Sequence, residues 1–386
     1  MEETNSKKDF LVFGSPKITQ DEINEVTDSL KSGWLGTGPK VAKFENMFRD
    51  YIGCRFARAL NSCTAALHLS MLVSGIKPGD EVITTPLTFA ATANSILHTG
   101  AKPVFADVDK KTMNIDPKLI QNAITKKTKA IIPVHFAGRP CEMDEIMDLA
   151  EENNLLVIED AAHCIEGNYK GKKIGTIGNL TCFSFYVTKN IVTGEGGMIT
   201  TDNEEWAEKI EMYALHGLSK GAWKRYSDEG FKHYEVIFPG YKYNMMDLQA
   251  AIGIHQLKKV EENYKRREEI WKVYNESFED LPLILPSPVE NMKHALHLYT
   301  VLLDLDRIKI NRNQFQQELI KKKIGTGIHF ISLHLHKYYK EAFNYKQGDF
   351  PNAEFISDRT ISLPFSAKLT DKDVDDVVKS VREILK

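Results

Sequence analysis

The chain has few cysteines, and they show no order. Cys54, Cys63, Cys141, Cys164 and Cys182 show no CxxC spacing and no paired pattern. That argues against a disulfide framework and a zinc site, and predicts reduced thiols in the cytoplasm. No apolar run approaches the roughly 20 residues of a membrane span, so no membrane partner is expected. The start, Met1 to Lys8, is polar and lacks the apolar centre of a secretory signal. No basic tract is long enough for a nucleic-acid footprint; acids and bases are mixed along the chain, with a formal charge of -3. Internal repeats and low-complexity segments are also absent. What is present is a chain of 386 residues, 42% hydrophobic and 27% charged, with the composition of an ordinary globular protein and the length of about two domains.

Between Phe56 and Thr201, short β-rich runs alternate with helical patterns. The runs are Glu81–Thr85, Pro103–Asp107, Ala130–His135, Leu155–Asp160, Thr181–Tyr186 and Gly197–Thr201. This predicts an α/β fold, a mostly parallel sheet with helices on both faces. Asp247–Phe278 reads as one long helix linking a large domain, residues 1–255, to a smaller α+β C-terminal domain, residues 256–386. In the latter, His297–Leu303 and Gly325–Phe330 read as strands, and Arg312–Lys322 and Asp371–Leu385 as helices.

The chemistry concentrates between Val157 and Gly197. An apolar run ends in Glu159-Asp160 and is followed by His163. A second, Phe183–Val187, leads to Lys189, and the turn Thr193-Gly194-Glu195-Gly196-Gly197 follows. An acid at a strand end and a lysine beside buried residues are what pyridoxal phosphate requires. The carboxylate keeps the pyridine nitrogen protonated, and the amine forms the Schiff base. At about 4 Å and an effective dielectric near 20, such a charge pair gains roughly 4 kcal/mol before desolvation. Taken singly, Asp160 is equally a helix cap and Lys189 a solvated strand-end lysine; their order along the chain favours the catalytic reading. Glu159 is expected on the opposite strand face.

Ser184 is either a phosphate ligand or a small polar core residue. Asn61–Leu67 reads as a strand-to-helix turn whose N–H groups bind phosphate, or as a simple N-cap. Phe89 is either a ring stacker or core. The glycine turn lacks GxGxxG spacing and a P-loop lysine, so it reads as a place of close backbone approach. His329, His334 and His336 have no HExxH or cysteine companions. A metal is not expected, and His329 is the histidine expected to face the cleft.

Together these motifs resemble the DegT/DnrJ/EryC1/StrS family of pyridoxal phosphate-dependent sugar aminotransferases. The resemblance runs from Gly36-Thr37-Gly38-Pro39 through Ser62–Leu67, Thr88–Asn94, Glu159–His163 and Phe183–Gly197 to Gly240–Met245, Gly325–His329 and Leu363-Pro364. It implies a fold-type I homodimer with active sites at the subunit interface. Lys189 would form the Schiff base and move protons, with Asp160 on the pyridine nitrogen and His163 beside the ring or its 3-hydroxyl. Ser184 and the backbone of Cys63-Thr64 would hold the phosphate, Phe89 would stack on the ring, and Asn244 of the partner subunit would reach the phosphate.

Cys63 stands where the family commonly has glycine, and Gly240-Tyr241-Lys242-Tyr243-Asn244 departs from the commoner Gly-Tyr-Asn-Tyr-Arg. The latter, with His216-Gly217-Leu218, Trp223 and Arg225, is similar to the branch making 4-amino-4-deoxy-L-arabinose on UDP. The implied reaction moves the amino group of L-glutamate to C4 of a nucleotide-linked 4-keto sugar. Trp223, Arg225 and His329 are the candidate sugar-nucleotide contacts, an arginine suiting a diphosphate. Alternatives are amination of a 3-keto sugar or cyclitol, a cofactor-sensing regulator, disfavoured by the short tail before the fold, and a binding protein without catalysis, disfavoured by the intact Asp160 and Lys189.

Overall fold

The β-rich runs pair into one seven-stranded sheet. A computed structural model describes residues 9–219 and 234–386. Helices α1 (Gln20–Ser32) and α2 (Pro39–Ile52) precede β1 (Phe56–Leu60) and α3 (Cys63–Val73). There follow β2 (Glu81–Thr84), α4 (Ala90–His98), β3 (Lys102–Phe105), α5 (Pro117–Ala123), β4 (Thr128–Ile132), α6 (Met143–Glu152) and β5 (Leu156–Asp160). A short hairpin, β6 (Asn168–Tyr169) and β7 (Lys172–Lys173), leads to β8 (Leu180–Ser184), β9 (Gly197–Thr201) and α7 (Glu204–Ala214). The strand order is β1-β9-β8-β5-β4-β2-β3; β9 runs antiparallel to both neighbours and the other pairs are parallel.

Successive strand residues serve two cores, as a side-chain period of two requires. Ile83, Ile131 and Val157 pack on one face with Phe44, Phe48 and Phe183. Val82, Ile132 and Ile158 pack on the other with Leu67, Leu69 and Ile199. Burial of both faces explains why these strands read as continuous apolar runs. The same period places Asp160 on the face of Ile158 and α3, and Glu159 on the face of Val157. Glu159 is fully buried there, accepting from Gly178 N, Thr181 Oγ1 and His135 Nε2 at 2.8–2.9 Å. The expectation that it faces away from Asp160 holds.

Two readings are corrected. The expected single helix 247–278 is two, α8 (Asp247–Lys258) and α9 (Val260–Phe278), parted at Lys259 with φ −102° and ψ 2°. Ile254 and Leu257 belong to the core with Phe44, whereas Ile270, Tyr274 and Phe278 belong to a separate one. One straight helix would not aim both stripes correctly, and no proline or glycine marks the joint. The segment 325–330 is not a strand; only Gly327 bridges, to Ser362. Thr360 Oγ1 instead donates to the carbonyl of His329, and the chain turns toward the main sheet.

Beyond α9 lie β10 (Leu283–Ile284), β11 (Met292–Lys293), β12 (Tyr299–Leu303), α10 (Arg312–Lys321), α11 (Lys337–Phe343), α12 (Pro351–Arg359), β13 (Thr360–Leu363) and α13 (Asp371–Leu385). Strands β10, β12 and β13 form a small antiparallel sheet. Leu11 of the N-terminal arm packs against that unit's core and bridges to Ile324. Helix α2 was not anticipated, although Pro39 at its start and buried Phe44, Phe48 and Ile52 at a spacing of four are a readable signal.

Candidate active site

The carboxyl ends of β2, β4, β5 and β8 lie at one edge of the sheet, where open α/β sheets bind ligands. Asp160 ends β5 there and is 5% exposed. It accepts from Thr92 Oγ1 at 2.8 Å and Ala162 N at 3.1 Å. Thr88 Oγ1 lies 2.8 Å from Thr92 Oγ1. Because Thr92 commits its single proton to the carboxylate, Thr88 is the donor to Thr92. Burial raises the Asp160 carboxyl from its ordinary pKa, while Thr92, Ala162 N–H and Lys189 oppose the rise.

Lys189 follows β8 in a loop that folds back on itself. Its N–H donates to Tyr186 O at 2.8 Å, and Phe185 pairs with Gly196 and Thr193. Burial lowers the lysine to about 8, against weaker upward pulls from Cys63 and Asp160. An amine in this range is partly neutral near pH 7, the form that attacks a carbonyl.

The third component is the start of α3. Ser62 caps it, accepting from Ala65 N at 3.1 Å. The first-turn N–H groups of Cys63 and Thr64 have no acceptor within the helix. Cys63 takes an ordinary helical conformation without positive φ, so the glycine common in the family is not needed here. The close approach falls on the neighbouring strand instead. A Cβ on Gly197 would lie 2.4 Å from Ser62 O and 2.7 Å from Cys63 N, both backbone atoms. Gly197→Ala is therefore expected to displace the Ser62–Cys63 turn and weaken cofactor affinity at least about tenfold, roughly 1.4 kcal/mol. A cofactor titration of the apo-protein checks this, and unchanged affinity would contradict it.

These parts meet in one cavity of about 560 Å³, lined by Cys63, Thr64, Phe89, Thr92, Asp160, His163, Ser184, Lys189 and His329 among others. A neighbouring, largely apolar groove of about 660 Å³ shares Thr88, Phe89, Ile328 and Phe330 with it.

A model of the DegT/DnrJ/EryC1/StrS aminotransferase family matches residues 16–382. The chain belongs to this family. It is 61% identical to the uncharacterised protein MJ1066 of Methanocaldococcus jannaschii, over 98% of each chain. It is 52% identical to the spore coat polysaccharide biosynthesis protein SpsC of Bacillus subtilis, over 98% of this chain and 97% of that one. A solved structure of Spr1654 from Streptococcus pneumoniae, named as a sugar aminotransferase, superposes with a TM-score of 0.91 at 33% identity in its PMP form, over 97% of this chain and 98% of that one. Its PLP form superposes with a TM-score of 0.89 at 32% identity, over 98% and 100%. The fold is that of fold-type I pyridoxal phosphate enzymes, and the protein is a pyridoxal phosphate-dependent sugar aminotransferase.

The cavity fits this family's cofactor on its own evidence. The buried carboxylate of Asp160 accepts from two neutral donors, Thr92 Oγ1 and Ala162 N, while Lys189 and His135 act on it through charge alone. Phe89 leaves 63% of its surface uncovered at the cavity wall, an apolar ring suited to covering a flat ligand. An open helix N-terminus suits a phosphate. His163 accepts from Ala137 N through Nδ1 at 3.2 Å, so its neutral ring carries the proton on Nε2. Burial and the nearby Lys189 hold it well below the usual histidine range. His329 is likewise held down, to about 3, by burial and Lys189, and its Nδ1 lies 2.9 Å from Ser362 Oγ.

Eight expected site residues thus converge. Asn244 does not join them within the chain. It sits by a separate cavity of about 240 Å³, where Nδ2 donates to Thr37 Oγ1 at 2.6 Å and Oδ1 is buried without a partner. Trp223 and Arg225 lie outside the described residues. His334 is a buried structural histidine bonded to Ser332 and Glu354, and no metal-binding cluster occurs among the described residues. The sequence reading missed Thr92, although Thr88 and Thr92 are spaced four apart. It also missed Tyr186, Glu195 and Phe330 in the wall, none of which carries a local signal.

Proposed function

We propose that the protein transfers the amino group of L-glutamate to C4 of a nucleotide-linked 4-keto sugar, as a cytoplasmic homodimer. The observation that carries an amine-transfer role is Lys189, brought to about 8 in the cavity that also holds Asp160. Support for the substrate comes from the Gly240–Asn244 variant, similar to the branch acting at C4 of a UDP-sugar, and from the SpsC relative, whose name places it in polysaccharide biosynthesis.

Pyridoxal phosphate, when bound, supplies an aldehyde for the incoming amine and an electron-withdrawing ring. Its phosphate would be held by the N–H groups of Cys63 and Thr64 and the Ser184 hydroxyl. Asp160 would hold the proton on the ring nitrogen, kept in place by Thr92. Phe89 would cover one face and exclude water from it. His163, with its Nε2 proton, would lie by the ring or donate to its hydroxyl. Lys189 Nζ would take a proton from one carbon and return it to another, as one amine of near-neutral pKa is able to do. Trp223, Arg225 and His329 are the candidates for contacts to the sugar nucleotide, His329 from the wall of this cavity.

The test incubates the purified enzyme with L-glutamate and matched 4-keto and 3-keto UDP-sugars, following 2-oxoglutarate and the position of the new C–N bond by NMR. Amination at C4 is the expected result. Turnover of the 3-keto sugar alone would overturn the position, and equal turnover of the free keto sugar would overturn the nucleotide requirement.

A further inference from the structure

Beside the catalytic lysine lies a buried polar chain with no part in the chemistry so far. Arg267 of α9, 3% exposed, pairs with the fully buried Glu166 at 2.5 Å and donates through Nε to Leu296 O at 2.9 Å. The second oxygen of Glu166 accepts from Asn190 Nδ2 at 2.7 Å. The same Nδ2 donates to Ala295 O at 2.9 Å. A carboxylate and a carbonyl only accept, so the amide orientation is settled: Oδ1 of Asn190 is an acceptor. It lies 3.1 Å from His297 Nδ1. His297 must therefore be the Nδ1–H tautomer.

The chain continues to His163 by two routes. The rings of His297 and His163 lie 4.6 Å apart, centre to centre. Ala295 N donates to Gly138 O at 2.7 Å and His297 N to Ala137 O at 3.3 Å. Ala137 N then donates to His163 Nδ1. We infer that Asn190 is a positioning residue for His163: anchored by Glu166 and Arg267, it sets the tautomer of His297 and the place of the Ala137 peptide, and so holds His163 with its Nε2 proton available to the cavity.

The charges around the two histidines agree. Lys189 and His329 face both of them, and Arg267 and His294 also face His297. A proton on His297 would add a cation to that group. An acceptor on Nδ1–H by itself favours the imidazolium, so what Asn190 withholds is charge: it takes up the free oxygen of Glu166, which would otherwise attract a proton to His297. Without Asn190, His297 protonates more readily, and the added cation disfavours protonation of Lys189 and its adducts.

The inference rests on Lys189 holding the cofactor, and the experiment separates the two. In cofactor-loaded wild type with ¹⁵N-labelled histidine at pH 7, His297 is expected as the Nδ1–H tautomer and His163 as Nε2–H, assigned with single His→Gln variants. Asn190→Ala is expected to keep the visible cofactor band, lower the pH midpoint of that band by about one unit and reduce kcat at least tenfold. Arg267→Lys, which keeps a cation on Glu166, is expected to lose stability without moving the midpoint. An Nε2–H or cationic His297 in wild type overturns the inference without any variant, even if Asn190→Ala does not fold. A lower Tm in Asn190→Ala with unmoved midpoint and kcat also overturns it. A wild type with no visible band after cofactor addition would instead sink the Lys189 reading.

Discussion

Lys189→Ala is expected to abolish transamination, by on the order of 10⁴-fold or more, because one amine serves as nucleophile and as proton carrier. The visible band of the loaded wild type, and its loss on adding L-glutamate, should disappear with it. Lys189→Arg should be equally inactive, since a guanidinium stays charged throughout the working range. The environment adds two further expectations. Cofactor capture by the apo-protein should rise with pH around a midpoint near 8, the value to which burial lowers this amine. A midpoint near the ordinary lysine value would mean that burial does not act on it.

The same buried amine costs the apo-protein stability. The folded pKa lies below the unfolded one, so between about 8 and the ordinary lysine value the unfolded chain binds more protons. Lys189 therefore makes the apo-protein more stable as pH rises through that window and less stable below it. Apo Lys189→Ala should melt higher than apo wild type at pH 7. A variant that is inactive and also melts lower would contradict the burial argument, and a variant with full turnover would contradict the assignment itself.

Asp160→Asn is the second large effect. Replacing the buried carboxylate by an amide removes the charge opposite the ring nitrogen, and kcat should fall by about 10³, roughly 4 kcal/mol. The phosphate cup is untouched, so the variant should still bind cofactor. A loss under tenfold would show that Asp160 is not the ring's partner. Thr92→Val separates position from charge. It removes one hydrogen bond to the carboxylate, which corresponds to about a tenfold loss. Because that bond lowers the carboxyl pKa, its removal raises it. The acid limb of the pH–rate profile should then move to higher pH, whereas an unmoved limb with lowered activity would assign Thr92 a packing role only.

Much of the site was legible because local chemistry marked it. Asp160 and Lys189 each end an apolar run; either alone has an ordinary structural reading, and their order along the chain with the glycine turn after them is what marked the site. Gly197 stood out as a glycine in a turn without a nucleotide-loop pattern, and the reason proved to be the backbone of Ser62 and Cys63, more than 130 positions earlier. Thr92, Phe330 and Asn190 were not legible, because a threonine, a phenylalanine or an asparagine acquires its role only from what the fold brings beside it. The break at Lys259 escaped for a similar reason: the periodic pattern continues through it, and only the divergence of two cores parts the helix.

The sequence by itself determined the alternation of strands and helices between Glu81 and Thr201, the acid and the lysine, and the family to which they belong, since these rest on periodicity and on residues adjacent in the chain. The tertiary structure alone decided that eight of these residues face one cavity, that Asp160 is held by Thr92, and that Asn190 reaches His297 and Glu166. Those are contacts between residues dozens of positions apart, and their distances are set by how the strands and helices pack.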